Sequence, residues 1–292
     1  MAAVITAARP KPEPRGHKRQ SATGGRLWWL TLTPVAILVL LAIIGSWITP
    51  YSPTSVVGGT SIAPNLHFWF GTDSNGLDVF SRVLAATRVN MEIAWSVVAL
   101  STSGGVALGL LVGMNESSRG LVGILSRGLA RLIDLIQAVP AVLIGLVLVA
   151  FYGGNLAVLI GAISIVLLPI QMRLVRVEVL RVRGEAYVDA ARMAGMTEFE
   201  LTVRTVLPNS TRAALENVSV IFALATILTA ALGFLGVGLP PPTPEWGSMI
   251  ATGASDAALG RWWSALFPTL ALTLSVGAVS FSLHHALRRL HR

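Results

Sequence analysis

Six blocks of apolar sequence recur along this 292-residue chain, at 27–49, 91–114, 131–152, 155–173, 214–239 and 263–286. Each is close to the roughly 20 residues that cross a hydrocarbon core about 30 Å thick. No water reaches the backbone there, so every N–H and C=O has to be satisfied within its own segment. The blocks therefore predict six transmembrane helices and an all-α membrane protein. Composition agrees: 53% of the residues are hydrophobic and 12% charged, where a soluble domain carries about a quarter charged residues.

A net charge of +8 suits nucleic acid in some proteins. Here the arginines flank apolar segments, where they act as topology signals, and no nucleic-acid partner is expected. Nineteen of the 22 lysines and arginines fall in the tail, in the 115–131 and 173–212 loops and at the C-terminus. Only Arg82, Arg88 and Arg261 fall on the other side. This asymmetry predicts a multi-pass plasma-membrane (inner-membrane) protein with both termini cytoplasmic.

The expected organisation is a disordered basic tail (1–26), a first span (27–49), an external loop (50–90), a core (91–286) with a cytoplasmic loop at 174–212, and a cytoplasmic C-terminus (287–292). The first block is too long for a signal h-region, so no cleavable leader is expected. Leu77 to Leu84 reads as a short surface helix. Pro169 and the short Tyr152–Asn155 turn leave 155–173 open to a bent or partly re-entrant course. Trp28, Trp29, Trp47, Trp69, Trp262 and Trp263 lie near proposed membrane ends, where amphipathic rings prefer to sit. Glycines and prolines within the spans fit close packing, and equally a bundle that rocks between two states.

Several chemistries are excluded. With no cysteine there is no disulfide, thiolate metal site or thiol nucleophile. The only lysines, Lys11 and Lys18, lie in the tail and neither follows a glycine, so the chain has no phosphate-binding P-loop and is not itself an ATPase of that class. Glu92, Asp134 and Glu216 sit near span ends, and Asp134 lies three residues from Arg131, a helix-face pair. His284, His285 and His291 are badly spaced to share a metal. No catalytic, cofactor or metal residue is expected.

The stretch Glu185–Asn209 is polar enough to leave the membrane and patterned enough to fold. Tyr187, Ala190, Ala191 and Ala194 follow i, i+3, i+4, i+7 and predict a small apolar helix face. Gly195 stands where a helix C-terminal glycine belongs. Thr197 and Glu200 form a T-x-x-E box that opens a second helix. Phe199, Val203 and Val206 form its apolar face, and Pro208 ends it. Such a hairpin fits a rigid lever for a soluble partner or an amphipathic element on the lipid surface. The alanine face favours the lever, because lipid insertion wants bulkier side chains.

Asp189-Ala190-Ala191-x-x-x-Gly195, followed by Thr205-Val206-Leu207-Pro208, resembles the EAA loop of binding-protein-dependent ABC importers. Asp189 stands where that family typically has Glu, and Thr205 where it has a branched apolar residue. His67–Asp73 and Gly76–Arg82 resemble the external loop of C-type dipeptide and oligopeptide permeases, with Leu77 where Arg is common. Leu232–Gly238, Pro241–Gly247 and Trp262–Pro268 are similar to the fifth-span junction and sixth-span start of that group.

The resemblance implies a type I ABC importer permease fold and a heterodimeric pore completed by a second homologous permease. Its other implied partners are two ATP-binding subunits, an extracytoplasmic solute-binding protein, a peptide substrate and the lipid bilayer. ATP and Mg would sit on the partner subunits, with no cofactor on this chain and no enzymatic activity of its own. Glu185, Tyr187, Asp189, Ala190, Ala191, Ala194, Gly195, Leu207 and Pro208 would couple to an ATPase. Gly71, Thr72, Asp73, Asp78, Glu245 and Trp246 would contact the binding protein. Nickel or other small-solute permeases share much of the pattern, and an ion-driven secondary transporter is the alternative of another class.

Overall fold

The computed structural model describes residues 31–116 and 118–290, so the basic tail and the last two residues lie outside the described residues. In chain order the helices are α1 (Thr33–Ile44, extended by a turn Gly45–Trp47), α2 (Val79–Asn115), α3 (Leu121–Ile136), α4 (Ala141–Tyr152) and α5 (Leu156–Arg183). The short elements α6 (Ala186–Met193), α7 (Glu198–Leu201), α8 (Leu207–Ser210) and α9 (Arg212–Glu216) follow, then α10 (Val218–Phe234), α11 (Trp246–Ala257) and α12 (Trp263–Leu290). Among the described residues the sole extended pairing is an isolated bridge between Thr72 and Asp78.

Among the described residues three helices, α2, α5 and α12, are long and apolar enough to cross a membrane alone. Two bent pairs raise the number to five, and α1 is a shorter apolar helix. Among the described residues the spans are therefore not six uniform helices. The block at 131–152 is two helices meeting at 92°, because Pro140 has no N–H to donate and disfavours helix at Val139 before it. The block at 214–239 bends by 46° at Asn217 and stops at Phe234. There the Val237 N–H reaches back to the Leu232 carbonyl and closes the helix end.

The segment 155–173 is neither re-entrant nor short: α5 runs on to Arg183 with Pro169 inside it. Leu77–Leu84 is no separate surface helix. Asp78 caps α2 by accepting from the Ser81 N–H at 2.8 Å, and the helix then runs unbroken for 37 residues.

The centre of the bundle is the α2–α5 pair. Gly105, Gly109 and Gly113 recur every fourth residue and form a backbone groove along α2. A Cβ at these positions would stand 2.5 Å from Gln171 Cβ, 2.7 Å from Val175 Cβ and 2.7 Å from Val179 Cγ1. The two backbones thus approach as closely as small residues allow in a membrane protein. Buried Gln171 adds polar links, donating to Thr102 Oγ1 at 2.8 Å and to the Ala214 carbonyl at 3.1 Å. Ala214 lies just before the bend at Asn217, so α5 is fastened to the broken end of α9.

Candidate functional site: the hairpin between α5 and α10

The hairpin grows from the last turns of α5. Glu185 precedes α6, and α6 ends at Met193, capped by Ala194 and followed by Gly195 at φ +89°. An L side chain is strained there, which is why glycine closes the helix. Thr197 then opens α7 by accepting from the Glu200 N–H at 3.2 Å. The Glu200 carboxylate pairs with Arg204 at 3.1 Å, one turn on.

Pro208 does not end this second helix. A wide turn at Thr202–Val206 carries the chain into α8, with Pro208 in its first turn. Proline needs no N–H partner there, and the widened turn makes room for its ring.

What roots the hairpin differs from what periodicity suggests. Val188, Leu201 and Val206 are fully buried and pack with Val175, Val179 and Val182 of α5 and with Ala214. Ala191 turns inward onto this cluster, joined by Val106, Leu110 and Met114 of α2. The expected common face of Tyr187, Ala190, Ala191 and Ala194 is thus divided, since Tyr187, Ala190 and Ala194 are exposed. The expected apolar face of the second helix is also corrected: Val206 is buried, but Phe199 is 79% and Val203 45% exposed. Leu201 takes the buried place because the chain enters α7 with that side turned to α5.

Charged contacts lock the turn. Arg192 Nε donates to Glu198 Oε1 at 2.7 Å across Gly195, and its Nη1 meets Asp189 Oδ1 at 3.1 Å. The Arg192 hydrogen bond holds the Glu198 carboxyl below its usual range, against a smaller opposing effect of burial. At the root, Arg183 Nη1 donates to the Gly113 and Met114 carbonyls at the end of α2. Arg176 forms a two-pronged pair with Glu116. Arg176, Arg183 and Glu116 were not singled out in the sequence, since their partners lie about 60 to 70 positions away. Asp134 pairs with Arg173 at 2.8 Å, not with Arg131.

The outward side of the hairpin carries Tyr187, Ala190, Met193, Ala194, Phe199, Val203 and Pro208. Met193 is 84% exposed. Bulky apolar groups beside a rim of charge, on an element held from behind, form the kind of surface that a partner covers.

The six residues expected to meet a binding protein are all buried: Gly71, Thr72, Asp73, Asp78, Glu245 and Trp246. They hold the loop together and present no side-chain surface. Asp73 accepts from the Asn75 and Leu77 N–H groups. Thr72 accepts from the Ile62 N–H and donates to the Gly59 carbonyl. Trp263 Nε1 donates to the Thr72 carbonyl at 3.1 Å, and Trp246 Nε1 to the Val83 carbonyl at 3.3 Å. Glu245 caps α11 through the Gly247 and Ser248 N–H groups, while burial pushes its carboxyl up to about 7. The exposed groups of this region are others, among them Leu66 and Trp69.

A family model described as "Binding-protein-dependent transport system inner membrane component" matches residues 105–292. The chain is a member of this family. The permease is 34% identical over 268 residues to the di/tripeptide transport system permease protein DppC of Pseudomonas aeruginosa, covering 89% of this chain and 84% of that protein. It is 32% identical over 279 residues to the probable D,D-dipeptide transport system permease protein DdpC of Escherichia coli, covering 92% of this chain and 91% of that protein. It is 32% identical over 244 residues to the glutathione transport system permease protein GsiD of Pectobacterium atrosepticum, covering 83% and 79%.

Among solved structures, a chain of the inward-facing MetNI methionine ABC transporter superposes with a TM-score of 0.53 at 17% identity, covering 70% of this chain and 97% of that one. That likeness shows the fold, a type I ABC importer permease. The permease is a multi-pass transport subunit and not an enzyme; ATP hydrolysis in such importers belongs to separate subunits.

Proposed function

We propose that this permease forms half of a peptide-conducting pore and that the 185–208 hairpin is where an ATP-binding subunit grips it. One observation carries the reading: the hairpin is two-sided. Val188, Leu201 and Val206 fix it to α5 and α2, while Met193, Phe199 and Tyr187 stand free on its other side. A push on that free side reaches α5 without being absorbed in the hairpin, and α5 is zipped to α2. A partner shifts a two-state equilibrium only through contacts that differ between the states, and this patch supplies such contacts.

In this reading the hairpin and both termini are cytoplasmic. A second, homologous permease completes the pore, and two ATP-binding subunits carry ATP and Mg. A solute-binding protein delivers peptide to the opposite end, meeting exposed groups such as Leu66 and Trp69. Peptide as substrate rests on the relatives, which are di/tripeptide, D,D-dipeptide and glutathione permeases by name. The buried sequence motifs of the 71–78 loop, which resemble those of peptide permeases, support the same choice.

The test is a Met193→Ala/Phe199→Ala variant in the assembled transporter. Both side chains are exposed, so the fold is retained while co-purification of the ATP-binding subunits and peptide uptake fall together. Wild-type assembly and uptake in this variant would overturn the coupling role. Substrate is tested separately: unlabelled dipeptide competes with labelled dipeptide uptake and nickel does not. The reverse pattern would make this a metal permease of the same architecture.

A further inference from the structure

We propose that Gln171 is the positioning residue that passes movement of the 185–208 hairpin to α10, by setting the angle at the joint between α9 and α10. The inference rests on the coupling role proposed above for the hairpin. Between Leu156 and Met172, α5 has no charged side chain, and Gln171 is its only amide side chain. It is fully buried, at a depth where an amide is costly unless its polar atoms find partners. They do: Nε2 donates to Thr102 Oγ1 at 2.8 Å and to the Ala214 carbonyl at 3.1 Å, and Oε1 accepts from Asn217 Nδ2 at 3.4 Å. The Ala214 carbonyl can only accept, which fixes the orientation of the amide. One side chain of α5 thus holds α2, α9 and the residue at the bend.

The joint itself is poor in apolar packing. The cluster that roots the hairpin ends at Ala214, and the main core of the bundle resumes at Ile221 and Phe222. None of residues 215–220 is fully buried, and across this stretch the chain turns by 46°. Apolar packing resists displacement through many small contacts at once. Here three hydrogen bonds around one amide hold the angle, and such bonds are made or lost one at a time.

The α2 side of Gln171 does not yield. A Cβ on Gly105 would stand 2.5 Å from Gln171 Cβ and 2.9 Å from the Met172 N, so α2 and α5 are interlocked at this level and move as one body. The longest of the three contacts is the one to Asn217, on the α10 side. A push on the hairpin enters α5 and α9 through Val188, Leu201, Val206 and Ala214. It reaches α10 across a joint that this amide spans. A hydrogen bond made in one setting of the joint and lost in another is the kind of differing contact that separates two states.

The test is a Gln171→Met variant of the assembled transporter in proteoliposomes, read as peptide taken up per ATP hydrolysed. Methionine keeps the length and much of the packing and removes all three hydrogen bonds. Uptake per ATP falls roughly tenfold, the scale of one or two lost hydrogen bonds. Co-purification of the ATP-binding subunits is kept, and the melting temperature moves by no more than about 5 °C. Thr102→Val, which removes the anchor on α2, lowers the ratio less, and Thr102→Ser, which keeps the hydroxyl, leaves it at the wild-type value. A wild-type ratio in Gln171→Met overturns the proposal. So does a fall matched by loss of bound ATP-binding subunits or by a larger drop in melting temperature, which would make Gln171 a packing residue only. Failure of the coupling reading itself shows elsewhere, as unchanged assembly and uptake in Met193→Ala/Phe199→Ala.

Discussion

Leu201→Ala separates the root of the hairpin from its contact surface. Leu201 is fully buried among Val188, Val206 and the α5 valines. Truncating a buried leucine to alanine costs about 2–5 kcal/mol, less where neighbours can collapse into the space. This cluster is small and lies near the surface, so a loss of about 2–3 kcal/mol is expected. At roughly 1.4 kcal/mol per factor of ten, local opening of the hairpin becomes about 30- to 150-fold more frequent. Hydrogen exchange in the free permease reads this directly, because amides in 185–210 exchange through local opening. Phe199→Ala is the control: its side chain is 79% exposed, so exchange in the free permease changes little while binding of the ATP-binding subunits weakens. The reasoning is refuted if Leu201→Ala leaves exchange within about threefold of wild type, or if Phe199→Ala accelerates it as much.

Three further outcomes are expected. Gly109→Ala places a Cβ 2.8 Å from the Met172 carbonyl and 2.7 Å from Val175 Cβ, so it lowers transporter stability by about 1–3 kcal/mol. Gly128→Ala, with nothing within 4 Å, is neutral or stabilising by up to about 1 kcal/mol; thermal melting compares the two. Gly195→Ala meets no neighbour, but its φ of +89° costs an L residue about 1–2 kcal/mol, so exchange in 185–210 rises, and Gly195→Asn rises less. The folded chain holds the Glu245 proton up to about 7, above the unfolded value near 4.3. That contribution to stability is full below the unfolded value and is lost as pH rises towards 7. Melting measured between pH 5 and 8 should decline for this reason, and Glu245→Gln, which resembles the protonated acid, should flatten the decline.

Signals that act within a few residues were readable in advance. Apolar runs marked where helices form, though not where they break or end, and Gly195 and Thr197 marked the hairpin's turn. These depend on local backbone geometry and on solvent, which a short stretch of chain carries with it. The tertiary structure decided which face of each element is buried. Val188 and Leu201 root the hairpin and Phe199 does not, because α5 presents Val175, Val179 and Val182 on one side only. Gly71, Thr72, Asp73, Asp78, Glu245 and Trp246 read as a contact surface, yet all six are interior; two long-range hydrogen bonds, from Trp263 to the Thr72 carbonyl and from Trp246 to the Val83 carbonyl, tie this region to helices far away in sequence. The joining of Arg176 to Glu116, and of the glycine groove to α5, likewise needs residues about 60 positions apart to meet. Burial and pairing at such range belong to the packed bundle, where the neighbours are chosen by the fold.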